Sequence, residues 1–161
     1  MNKTIEIIKN HRSIRSYLDK DIPQDILNEI LESIHSMPSS INGQQISVIV
    51  VKDKEKKSKI AELTGGQVWI DKAPVFLVFV ADFYKTHLAS EKNGISQVIH
   101  ESSEGTMVGT FDSGLAMGAA IIAAESFDLG IVPIGGIRRE PEEMIELLNL
   151  PKYTFPVAGL C

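Results

Sequence analysis

The sequence predicts an α/β protein in which helices alternate with buried strands. Three observations carry this. Ile26, Leu27, Ile30, Leu31 and Ile34 recur at helical spacing and give one apolar face. The runs ISVIVV at residues 46–51 and VFLVFV at 75–80 have the length and β-branched or aromatic content of buried strands. Gly and Pro punctuate the chain between these segments. At 161 residues the chain is long enough for one domain with an apolar core and too short for two ordinary ones. Hydrophobic residues at 43% and charged residues at 23% match a folded globular chain and exclude disorder over its whole length.

The elements follow in order. Ile5, Ile7 and Ile8 open a short helix, and a second begins at Pro23, where proline suits a first turn, and ends near Met37 and Pro38. Residues 38–45, PSSINGQQ, form a loop that feeds the strand at 46–51. A lysine-rich helix over about 54–63 presents a solvated face, and Gly65-Gly66 breaks it. A helical turn near 68–72 ends at Pro74, before the strand at 75–80. Residues 96–127 read as one long or interrupted helix whose second half is dense in Gly and Ala, letting a neighbouring helix or a flat ligand come close. Residues 129–134 read as a third strand, about 141–148 as a helix and 155–160 as a fourth strand.

The charge balance narrows the function classes. Sixteen basic against 21 acidic residues give a net charge of -5, which offers no general attraction to polyphosphate. The one cysteine, Cys161, excludes an intrachain disulfide and a cysteine-built zinc site, and a reducing cytoplasm is the simplest expectation. The N-terminal residues lack the apolar stretch of a secretion signal. The apolar runs at 73–81 and 115–124 are shorter than a membrane span, so no membrane partner is expected. His11, His35, His87 and His100 lack metal-ligand spacing, and no metal is expected. The dinucleotide, P-loop and hydrolase glycine signatures are absent.

Three constellations could carry chemistry. In His11-Arg12-Ser13-Ile14-Arg15 an extended chain would line Ser13, Arg15 and His11 along one side. Arginine forks match a phosphate, and a positive charge beside a flavin pyrimidine ring stabilises its anionic reduced form. An exposed basic loop is the plainer reading. Ser39, Ser40 and Asn42 sit in a donor-rich loop able to satisfy phosphate or ring atoms, although such side chains more often bond their own backbone. Pro133-Ile134-Gly135-Gly136 lie at the carboxyl end of a buried strand, where open α/β sheets tend to place ligands and where backbone N–H groups can approach a planar ring. A plain strand-to-helix turn explains the pair equally well.

In this order the segments HRSIRSY, SMPSSINGQQISVIVV, LTGGQVWIDKAPVFLVFVADFYK and GIVPIGGIRREPEEMIELLNLP resemble the nitroreductase family, in its NADPH-dependent, oxygen-insensitive FMN branch. The resemblance implies an α+β fold with a mainly antiparallel central sheet flanked by helices. It also implies a homodimer with FMN in the subunit interface. It assigns His11, Arg12, Ser13 and Arg15 to the N-terminal FMN motif, Ser39 to a flavin contact, and Ser40 and Asn42 to positions close to the ring or substrate. Gln67, which only the resemblance singles out, is assigned a flavin contact, and Ile134, Gly135 and Gly136 form the loop against the isoalloxazine.

The activity implied is a ping-pong reaction in which NAD(P)H reduces FMN and a nitroaromatic, quinone or similar small acceptor then takes the electrons. No side-chain catalyst is required. Residues 1–161 are expected to be a single domain lacking the C-terminal extension of relatives, which adds phosphate-binding basic residues and embraces the partner subunit. That shortening raises a second expectation, a non-catalytic flavin-binding dimerisation module. A nucleic-acid-binding role for HRSIRSY conflicts with the net charge.

Overall fold

All seven residues of Phe76–Asp82 are buried, so both faces of this strand must be covered. The computed structural model, which describes residues 2–161, covers them with helices on either side. Four strands, β1 (Ile46–Val51), β2 (Phe76–Asp82), β3 (Pro133–Ile134) and β4 (Thr154–Leu160), form one sheet in the order β1-β2-β4-β3. Every neighbouring pair is antiparallel. This is the α+β fold with a mainly antiparallel sheet that the family resemblance implies, and it replaces the plain α/β reading of the alternating elements. Sequence alternation alone cannot reveal strand direction.

Around the sheet lie α1 (Lys3–Asn10), α2 (Gln24–His35), α3 (Lys54–Leu63), α4 (Val68–Lys72), α5 (Tyr84–Lys92), α6 (Ser103–Ser126) and α7 (Pro141–Leu147). The alternation of β2 sorts them into layers. Leu77 and Phe79 pack with Leu27, Ile30 and Ile34 of α2 and Ala116, Ala120 and Ala124 of α6. Phe76, Val78 and Val80 face the other way, onto Ile60 of α3, Ile70 of α4 and Met144 of α7. Each of these large side chains contributes roughly 1.5–3 kcal/mol on burial. Between Phe79 and Val80 the register with β4 shifts by one residue, at the position where Pro156 lacks a ladder donor.

Small residues set the spacing of α6. A Cβ added at Gly109 would lie 2.7 Å from the Ala81 Cβ, so this glycine allows α6 to lie close to the end of β2. α6 is long and apolar enough by length and composition to cross a membrane. Here its inner face packs on β2 and α2, and that face carries the buried Asp112 and Ser113. Its outer face leaves Met107 and Phe111 exposed, with open space over Gly114 and Gly118.

Several sequence expectations need correction. The helix α5 is unheralded, because YKTHLASEK has almost no apolar periodicity. It is started by Asp82, whose carboxylate accepts from the backbone N–H of Tyr84 and Lys85 at 3.1 and 3.3 Å. The strand expected over 129–134 contracts to two residues, and Ile131 instead makes an isolated parallel bridge with Ser13. The lysine-rich face of α3 is not wholly solvated. Lys57 is buried, its ammonium donates to the Ala73 carbonyl, and burial pulls its pKa below the ordinary lysine value.

Candidate flavin site

The first group of site residues forms where the chain leaves α1. Asn2 caps α1 by accepting from Thr4 N–H at 2.8 Å, and the backbone turns extended at His11. The following segment then runs beside residue 131: Ser13 bridges to Ile131, and Ile14 N–H donates to the Ile131 carbonyl at 2.8 Å. His11 is anchored from a distant element, its Nδ1 lying 2.6 Å from Glu125 Oε1 in the last turn of α6. Arg12 donates to the His11 carbonyl at 2.7 Å.

Arg15 is held differently. Its guanidinium carbon lies 5.6 Å from the centroid of the Trp69 ring, a distance at which the ring quadrupole attracts a cation. Among the described residues no carboxylate pairs with this guanidinium. The indole Nε1 of Trp69 is buried and has no hydrogen-bond partner among the described residues. An uncompensated donor of this kind is costly and marks a place where a ligand, water or neighbouring chain can contribute an acceptor.

Gln67 sits immediately before α4. Its Nε2 donates to the Thr64 carbonyl at 2.9 Å, so its Oε1 remains an available acceptor. Gly65 and Gly66, at φ of 89° and 77°, supply the left-handed bend that leads into it. Gly136 packs against this corner: an added Cβ would strike the Gln67 amide and come within 2.9 Å of the Thr64 carbonyl oxygen. Gly135 and Gly136 open a 3-10 turn after β3. Ile134 is 2% exposed with its side chain in the core, leaving only its backbone for a ligand. The antiparallel sheet removes the strand-end argument for this loop, and the contact with Gln67 replaces it.

The second group lies elsewhere. Ser40 N–H donates to both carboxylate oxygens of Asp112, at 3.1 and 3.2 Å, and Gln44 N–H donates to Ser39 Oγ at 3.0 Å. Ser39 thus keeps its own hydroxyl proton for another acceptor. Ile41, Asn42 and Gln44 all have positive φ, at 50°, 55° and 49°. A cleft beside them is lined by Ser39, Ser40, Met107, Phe111 and Asp112. Among the described residues no hydrogen bond, ion pair or ring contact joins this group to the first.

Four participants escaped the sequence reading. Trp69 is the only tryptophan and stands two residues after Gln67, which could have drawn attention to it. Thr64 contributes through its backbone. Glu125 and Asp112 reach the motif loops from 114 and 72 residues away, a separation that no local pattern reveals.

The residues present fit a flavin mononucleotide. The first group combines an arginine and an amide oxygen that have no partner among the described residues with glycines that keep the backbone close, and the second group adds serine donors. The chain is 53% identical over 161 residues to an FMN reductase [NAD(P)H] of Bacillus subtilis, covering 99% of this chain and 65% of the relative. Its structure matches NfrA2 of B. megaterium with a TM-score of 0.98 and 52% identity, over 99% of this chain and 65% of that one. It matches the NADPH:FMN oxidoreductase of Vibrio harveyi, solved with NAD+, with a TM-score of 0.92 and 36% identity, over 99% and 67% of the two chains. The chain thus spans about 65% of the length of these curated relatives. The nitroreductase family model matches residues 8–161, and the chain belongs to the nitroreductase family.

Proposed function

We propose that this protein is an FMN-dependent NAD(P)H oxidoreductase acting on nitroaromatics, quinones or similar small electron acceptors. In this reading residues 1–161 form a single nitroreductase-like domain and work in the cytoplasm as a homodimer with FMN at the subunit interface. The observation that carries it is the cation of Arg15, unpaired among the described residues, held over Trp69 beside the Gln67–Gly136 corner. A guanidinium without a carboxylate is suited to an electron-rich ligand edge that gains negative charge on reduction.

When bound, FMN supplies the two-electron chemistry, accepting a hydride from NAD(P)H and passing electrons to the acceptor. The chain's residues bind and orient. His11, Arg12, Ser13 and Arg15 supply donors and positive charge. Gln67 offers Oε1 to a ring N–H, while the backbone of Ile134, Gly135 and Gly136 bounds one side of the site. No side chain is assigned as nucleophile or acid. Ser39, Ser40 and Asn42 lie in a separate group, and a homodimer accounts for them if each subunit's serine loop completes the site of its partner. The exposed Met107 and Phe111, with the open Gly114 and Gly118, supply an apolar face on α6 beside that loop.

Titration with FMN tests the reading, following both flavin absorbance and the emission of the single tryptophan. Saturable quenching of Trp69 with one FMN per chain is expected. Absence of both signals at micromolar FMN would refute it.

A further inference from the structure

The loop carrying Ser39, Ser40 and Asn42 adopts a conformation its sequence does not favour. Ile41 is β-branched and has φ of 50°, a region that such residues rarely enter, and Asn42 and Gln44 are left-handed as well. The Ile41 side chain is 90% exposed, so packing does not force this geometry. The hydrogen bonds Asn42 N–H to Ser39 O and Gly43 N–H to Ser40 O, at 3.0 and 2.8 Å, close the turn from within. The long-range tie is Asp112. It is 2% exposed in the middle of α6, and both its oxygens accept from Ser40 N–H. Ser40 itself is half-buried, so the bond is made where a nearly inaccessible carboxylate meets a part-buried backbone N–H, and removing the carboxylate takes away the loop's tie to α6.

We propose that Asp112 is a positioning residue that clamps the Ser40 backbone and so holds Ser39, Ser40 and Asn42 in one fixed presentation toward the flavin site. The flavin part of this inference rests on the function proposed above, while the clamp itself does not. Asp112 touches neither cofactor nor acceptor. Its contribution is to keep a strained turn populated, so that the Ser39 hydroxyl proton, left free while its oxygen accepts from Gln44, points consistently outward.

The test compares the wild-type protein, Asp112→Asn, and Asp112→Asn combined with Ile41→Asn. Asparagine enters the left-handed region more readily than isoleucine, so the second change lowers the intrinsic cost of the turn without touching α6. Two readouts are taken: amide hydrogen exchange across residues 39–45 without flavin, and FMN affinity with the visible circular dichroism of bound flavin. Asp112→Asn is expected to speed exchange at 39–45 while leaving β2 protected, to weaken FMN binding about tenfold, and to alter the flavin dichroism. The double variant is expected to recover part of both the protection and the affinity.

Unchanged exchange at 39–45 in Asp112→Asn overturns the clamp, as does loss of protection spread evenly through β2 and α6 with no recovery in the double variant. Faster loop exchange with unaltered flavin affinity and dichroism overturns the link to the site. Failure of the wild-type protein to take up FMN would instead sink the function proposal, and the exchange measurement would still decide whether Asp112 holds the loop.

Discussion

The Arg15 guanidinium stands 5.6 Å from the centre of the Trp69 indole, the only tryptophan in the chain. This pair couples the segment that follows α1 to the start of α4, two parts of the first site group that no local sequence pattern connects. Arg15→Ala is expected to weaken FMN binding by roughly 10- to 100-fold, the loss of a charged interaction. Trp69→Leu keeps the charge but removes its platform, and about 0.5–1 kcal/mol of cation–π attraction at an exposed site corresponds to a two- to fivefold loss. Flavin titration of both variants checks the order.

Gly136→Ala places a methyl group against Gln67 and the Thr64 carbonyl. Such overpacking costs about 1–3 kcal/mol, and the corner that offers Gln67 Oε1 shifts with it. Weaker FMN uptake is expected, and thermal melting separates that loss from any change in fold stability. In Gly114→Ala the added Cβ meets open space, so the isolated fold gains up to about 1 kcal/mol from helix propensity.

How far the sequence could be read depended on how local each signal was. The apolar face of α2 and the run of β2 are local patterns, and both elements form where periodicity places them. Strand direction is not local, and β1, β2 and β4 look the same in sequence whether parallel or antiparallel. α5 rests on the Asp82 cap and carries no buried residue, so hydrophobic periodicity had nothing to register. At the site, the motif loops were visible because Gly, Ser, Asn and Arg concentrate in them. Glu125 and Asp112 look like ordinary acidic positions on a helix until folding brings them onto His11 and Ser40. Lys57 departs from the solvated face expected of its helix because Lys54, Lys56 and Lys59 are exposed while it alone turns inward, and nothing in the local sequence distinguishes it from them.

Lys57 also yields a pH dependence. Burial disfavours its charged form, so its pKa in the folded protein lies below the ordinary 10.5. In the interval between the folded and unfolded values the unfolded chain binds more protons, and stability rises with pH there. Below that interval both states are protonated and the cost of burying the charge is fully present. Cys161, pushed up to about 12 by burial, and Tyr17, raised mainly by burial, act in the opposite direction. The difference between wild type and Lys57→Met isolates the lysine. Urea melts up to pH 10.5 should show wild type gaining on the variant as pH rises.

If the outer face of α6 is the homodimer contact, Phe111→Glu places a charge within it. Phe111 is 69% exposed in the single chain, so the fold itself should tolerate the change to within about 0.5 kcal/mol. Sedimentation velocity is expected to show a dimer for wild type and a monomer for the variant. A variant that stays dimeric would move the interface elsewhere.

The most direct measurement is the absorbance spectrum of the FMN-loaded protein under anaerobic conditions, before and after addition of NADPH and then a quinone. An oxidised flavin band that bleaches with NADPH and returns with the quinone is the result this account predicts. A bound band that NADPH leaves unchanged would contradict it and leave a flavin-binding protein without the reductase activity.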